Sequence, residues 1–147
     1  NQIETIKKAL RRLARAFFVK YIIMNATIND AFAKFIGIRI VQATPQCAIC
    51  ELDLTPNHLN GVGIVQGGVL FTMADLALAM AANADEADRV TISSHIDFLK
   101  GVSKGTLLAK ATPIKVGRTT ALYNVSVVEK ESGVLLANFQ GTAFRIK

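Results

Sequence analysis

Hydrophobic and polar positions alternate in two different rhythms along this chain, and the rhythm changes at identifiable points. In the first segment Ile3, Ile6, Leu10, Leu13, Phe17 and Tyr21 recur at three- and four-residue intervals, with Lys and Arg between them. That spacing predicts an amphipathic helix. Its apolar stripe must cover something, most often the domain's own sheet or a neighbouring subunit; a membrane surface is the less frequent partner. Asn29-Asp30 is placed to cap a short second helix through Phe35, which Gly37 ends. From Ile38 the rhythm turns to strand: residues 38–44 and 47–54 are short and β-rich, and Thr55-Pro56-Asn57 closes the second, so a hairpin is expected. After a loop holding Gly61, Gly63, Gly67 and Gly68, the run Val69 to Ala82 is rich in helix formers and apolar on every side, the pattern of a buried helix. Strands are then expected at 90–99, 105–116, 118–129 and 133–146, joined by short turns. In the third of these Ala121, Tyr123, Val125 and Val127 alternate with Leu122, Asn124 and Ser126. The whole reads as an α+β architecture: an antiparallel sheet wrapped around a central buried helix, with an extra N-terminal amphipathic helix. The natural division is 1–28 for that helix and 29–147 for the domain.

Composition narrows the setting. A chain of 147 residues, 51% of them apolar, suits one domain with a core of its own. No apolar run reaches the ~18 uninterrupted residues of a membrane span, and the longest candidate carries Asp75 in its middle. With nothing that reads as a secretory signal, the expectation is a soluble, cytoplasmic protein without a membrane partner. The net charge of +6 is concentrated at one end: residues 1–20 hold Lys7, Lys8, Arg11, Arg12, Arg15 and Lys20 against Glu4 alone, leaving the rest near neutrality. A nucleic-acid-binding domain body is thereby disfavoured. Cys47 and Cys50 form a Cys-x-x-Cys inside a strand pattern with no second pair, so they read as strand residues rather than a zinc or redox site.

Asp75 is the position that needs a reason. A carboxylate inside an apolar helix costs several kcal/mol if buried without a partner. It either turns to a subunit interface, caps a neighbouring backbone group, or does chemistry. Gly67 and Gly68 open the same helix, and their N–H groups are expected to point outward unpaired, at the positive end of the helix dipole. A carbonyl oxygen developing negative charge suits that place, where one good donor lowers a barrier by roughly 3 kcal/mol. Asp75 follows Gly67 by eight residues, which is ~12 Å along a helix axis. One helix therefore does not aim both groups at one carbon, whereas two helices packed antiparallel about a two-fold axis do, and a dimer is predicted.

The segment Asn60-Gly61-Val62-Gly63-Ile64-Val65-Gln66-Gly67-Gly68, followed by Phe71-Thr72-Met73-Ala74-Asp75, resembles the active-site segment of the phenylacetate-degradation (PaaI-type) thioesterases, and Ile96-Asp97-Phe98-Leu99-Lys100 resembles that family's strand after the helix. The resemblance spans about residues 30–147 and implies a hotdog fold, a homodimer that pairs into a homotetramer, and hydrolysis of an acyl- or aryl-CoA to the free acid and CoA without metal or cofactor. It implies that Asp75 is general base or nucleophile, that the Gly67 N–H is the oxyanion donor with Gly68 beside it, and that Asn60 positions water or the carboxylate. Gln66 stands where the family often has His; it can donate a hydrogen bond but not exchange protons near neutral pH. Thr91 and Ser93 are candidates for orienting the water. For the CoA phosphates, Lys115, Arg118 and Thr119 offer cations and a hydroxyl on a turn between strands, with Lys100 and Lys104 as weaker candidates. His58 and His95 have no neighbouring nucleophile that suggests a triad. The competing reading from another class is a non-catalytic acyl-CoA-binding or sensing module, against which an expensive carboxylate in the helix argues.

Overall fold

The computed structural model describes residues 4–14, 30–85 and 87–146. Residues 4–14 are helical (α1); the predicted continuation through Phe17 and Tyr21, and Asn29 of the expected cap, lie outside the described residues. The domain runs α2 (Ala31–Phe35), β1 (Arg39–Thr44), β2 (Cys47–Asp53), α3 (Gly67–Ala82), β3 (Arg89–Phe98), β4 (Thr106–Val116), β5 (Thr120–Glu129) and β6 (Leu135–Arg145). Asp30 caps α2 by accepting from the Ala33 N–H at 2.8 Å, and Gly37 ends it with φ of 81°, a left-handed conformation that only glycine adopts without strain.

The six strands form one antiparallel sheet in the order β1-β2-β4-β5-β6-β3. β3 and β4 are consecutive in the chain, yet β3 pairs with β6. β4 already has β2 on one side and β5 on the other, so the chain after β3 crosses the sheet end to reach it. That crossover is tied down by Val65 N–H to Val102 O at 2.8 Å and Leu99 N–H to Leu136 O at 2.8 Å.

α3 lies in the concave side of the sheet. Leu70, Met73, Ala74, Leu76, Ala77, Leu78, Ala81 and Ala82 are all buried, in one cluster with Ala48, Ala109, Ala111, Ala121, Ala137 and Ala143 of the strands. Small residues on both layers let helix and sheet approach closely. Gly141 is the extreme case, since a Cβ there would lie 2.6 Å from Cδ1 of Leu78. Burying each large side chain of α3 contributes about 1.5–3 kcal/mol.

The C-terminal end of α3 is pinned to the start of β3. Asn83 donates to the Ala79 and Arg89 carbonyls at 2.9 and 3.0 Å. Arg89, buried, donates to the Ala82 carbonyl and to Asp85 Oδ1, the latter at 2.7 Å. These bonds satisfy carbonyls that a helix end leaves without partners. α1 is different: it is exposed along its whole described length, so its stripe does not cover the sheet as expected. No helix among the described residues is long and apolar enough to cross a membrane.

Candidate active site

α3 runs antiparallel to β3, so their residues meet in a fixed order. A Cβ at Gly67 would lie 3.1 Å from Cζ of Phe98, Asp75 meets Thr91, and Ala82 meets Arg89. The residues singled out by sequence therefore fall into two groups at opposite ends of the sheet.

At the N-terminal end of α3, Asn60, Val65, Gly67, Leu70, Phe98, Leu99 and Lys100 line a cavity of about 360 Å³. Gln66 is the N-cap of α3, its side-chain oxygen accepting the Gly68 N–H. This corrects the expectation that both glycine N–H groups are unpaired. Gly68 is committed to the cap, while the Gly67 N–H has no hydrogen-bond partner among the described residues. The missing side chain at Gly67 is what leaves room for Phe98. Asn60 organises the loop: its Oδ1 accepts from Val62 N–H at 3.0 Å and Ile64 N–H at 3.2 Å, and its backbone N–H donates to Ile64 O at 2.8 Å. With that oxygen occupied, the Asn60 side-chain NH₂ is the group left to donate into the cavity.

The loop has a second support that sequence did not reveal. His58 is buried, its Nδ1 accepting from Thr55 N–H at 3.0 Å and its Nε2 lying 2.9 Å from Ile36 O. An acceptor at Nδ1 puts the proton on Nε2, which donates to the carbonyl. His58 thus ties the loop to the end of α2. Its signal was the Thr-Pro-Asn-His spacing, a capping box over one helical turn.

At the other end, Asp75 is half-buried and accepts from Thr91 Oγ1 at 2.7 Å. The register of β3 against β6 slips between Thr91 and Ser93, and such a bulge re-aims side chains. Thr91 turns toward α3 and bonds Asp75, whereas Ser93 is exposed. A continuous row across the sheet, Val116 beside Ala121, Ala121 beside Ala143 and Ala143 beside Thr91, puts the β4–β5 turn at this same end. Arg118 and Thr119 line a shallow cavity there with Arg145 and Ile146, and Lys115 is exposed beside them. Lys100 and Lys104 are far from that turn, bordering a separate cavity with Glu129 and Glu131. His95 is exposed and lies 3.1 Å from Asp97.

Cys50 is buried on β2 and burial pushes its thiol up to about 12, which keeps it protonated and unreactive. Cys47 is half-buried and free. No group of three or more His, Cys, Asp or Glu among the described residues is arranged to hold a metal ion.

Comparison with known proteins gives one answer. Residues 62–136 match the thioesterase superfamily. The chain is 35% identical to the acyl-coenzyme A thioesterase PaaI of Escherichia coli, over 80% of this chain and 84% of that one. It is 30% identical to human acyl-coenzyme A thioesterase 13, over 84% and 91% of the two chains. Its fold superposes on the solved structure of the E. coli PaaI protein from the phenylacetic acid degradation operon with a TM-score of 0.82 and 32% identity, covering 91% of this chain and 95% of that one.

Proposed function

Because the chain belongs to the thioesterase superfamily and has the hotdog fold of its PaaI-type members, we propose that it is an acyl-CoA thioesterase whose active site is completed by two subunits. The thioester carbonyl sits in the Asn60 cavity of one subunit, its oxygen on the free N–H of Gly67 at the helix N-terminus. Asp75 of the other subunit takes a proton from water as its oxygen adds to the carbonyl carbon and returns that proton to the departing sulfur as the C–S bond breaks; as a nucleophile it instead displaces CoA to form an acyl anhydride, which water hydrolyses to the free acid, supplying the thiol proton. The reaction needs a donor, a base and water, and no cofactor. Thr91 holds one carboxylate oxygen of Asp75 and leaves the second for water.

The observation that carries this reading is that the Gly67 N–H, without a hydrogen-bond partner among the described residues, and the Asp75 carboxylate held by Thr91 lie at opposite ends of β3. β3 is an edge strand, and its Val90, Ile92 and Phe98 are 46%, 58% and 56% exposed. An open edge of this length pairs readily with another strand. Pairing β3 with its copy about a two-fold axis near its middle brings the Thr91 end of one chain to the Phe98 end of the other, and with them the two half-sites. Arg118 and Thr119 of one subunit and Lys100 of the other then border the site mouth, where CoA phosphates need cations. Ile114, 53% exposed on β4, offers an apolar contact for pairing dimers into a tetramer.

The test is thiol release from a panel of short, medium, long and aryl acyl-CoAs by the unmodified protein and by Asp75→Asn. Cleavage that the substitution reduces by at least ~100-fold supports the reading. Tight acyl-CoA binding with no thiol released replaces it with a non-catalytic binding module, and cleavage that survives the substitution removes Asp75 from the chemistry.

A further inference from the structure

α1 is the one described element with no place in the domain. Ile6, Leu10 and Leu13 are 57%, 59% and 67% exposed, and every other residue from 4 to 14 is exposed too. At 100° per residue, Ile6, Ala9, Leu10 and Leu13 share one half of the helix, and Lys7, Lys8, Arg11 and Arg12 the other, with Glu4 the sole acid. Residues 4–14 alone are too few for a stable helix in water. The sequence of α1 therefore calls for a surface, and the domain does not supply one.

The charge pattern identifies that surface. A second protein covering the apolar stripe leaves the four cations of the opposite face in solvent. An anionic lipid interface uses both halves: the apolar face enters the acyl boundary while the basic residues stay at the headgroups. Lys7 and Arg12 flank the stripe, where long side chains reach the headgroups while their stems lie along apolar surface. The remainder of the chain is close to neutral, because residues 1–20 carry nearly all the net charge. Attraction to a negative surface is thus confined to this segment.

We infer that α1 is an interfacial anchor that docks the protein on membranes carrying anionic lipids. The anchor lies in the plane of the interface and spans nothing. Binding is electrostatic in reach and apolar in depth, so it weakens with salt. Several copies of α1 on one oligomer act together through their effective concentration.

The test is cosedimentation of the full chain with phosphatidylcholine vesicles, with and without about a third phosphatidylglycerol. Two double variants accompany it, Leu10→Ser with Leu13→Ser and Lys8→Gln with Arg11→Gln, both outside the domain. The expected result is binding to the anionic vesicles at least ~10-fold tighter than to neutral ones, lost by ~10-fold or more in each double variant and in half-molar salt. Turnover of a short, water-soluble acyl-CoA stays unchanged in both variants. The inference is overturned by failure to bind anionic vesicles, by equal binding to both vesicle types, or by variants that bind as well as the parent. A drop in the solution mass of the Leu10→Ser, Leu13→Ser protein also overturns it, since a second copy of the chain is then what covers the stripe.

Discussion

The two halves of the proposed site are built from different materials. Around Gly67 the proposed working group is a backbone N–H, beside a Gly68 N–H that Gln66 caps and a loop that Asn60 holds. Around Asp75 it is a side chain held by one hydroxyl. Apart from proline, no substitution removes a backbone donor; the others disturb it only sterically or through the loop. A carboxylate is lost with a single atom. The proposed chemistry thus rests on one half that is robust to most sequence change and one that is not.

The largest effect belongs to the fragile half. Asp75→Asn keeps the shape and the capacity to accept from Thr91 while removing the basic oxygen, so kcat should fall by ~100-fold or more with the fold intact. A comparable loss is expected from Gly67→Val, whose branches meet Phe98 and crowd the approach to the N–H. Mixing these two inactive chains decides whether the halves belong to different subunits. After dissociation and random reassociation, half the dimers are mixed, each with one intact site, and about a quarter of the parent activity should return. No recovery means that one chain supplies both groups, and the comparison collapses.

Thr91→Val sharpens the comparison from within the Asp75 half. It is nearly isosteric and removes one hydrogen bond to a carboxylate, worth about 1.5 kcal/mol, so a loss of roughly tenfold in kcat with little change in KM is expected. A rise in KM alone would place Thr91 in binding rather than in holding the carboxylate.

How much of this was legible in the sequence follows the same divide. The run from Val69 to Ala82 and the alternation in β5 reported the helix and the sheet because burial writes itself into composition. Asp75 was legible because a carboxylate there breaks that pattern. What escaped were relations between elements. Nothing local to β3 says that its partner is β6, because β2, distant in sequence, takes the edge of β4 that β5 leaves open. The bulge that separates Thr91 from Ser93 has no residue signature of its own. The two glycines looked equivalent until the Gln66 side chain chose between them, a matter of one rotamer. The amphipathic period of α1 was plain, yet period alone does not name the surface that it covers.

Gln66→Ala tests the robust half at a smaller scale. Removing the cap releases the Gly68 N–H and should cost about 1 kcal/mol of stability, read as a lower denaturant midpoint at unchanged slope. Because the Gly67 N–H is untouched, turnover per folded molecule should change by less than about threefold. A loss as large as that of Asp75→Asn would mean that the Gln66 side chain itself touches the substrate.

The smallest effect lies where α3 is anchored to β3, two residues before Thr91. Burial alone would raise the Asp85 carboxyl, but the hydrogen bond and charge of Arg89, with the Ala87 N–H, hold it below the usual carboxylate value. A carboxyl depressed in the folded state stabilises the fold above the ordinary carboxylate range, and that contribution disappears as pH falls through the native value. Asp85 is 39% exposed at its side chain, so screening keeps the contribution small. Asp85→Asn should therefore lower Tm by about 2 °C or less at pH 7, and the gap from the parent should close on acidification, as scanning calorimetry at stepped pH will show. A gap that widens toward low pH would reverse the sign of the linkage. Activity at pH 7 should stay within a factor of about two, because Arg89 keeps its bond to the Ala82 carbonyl and with it the registry of Asp75 on Thr91.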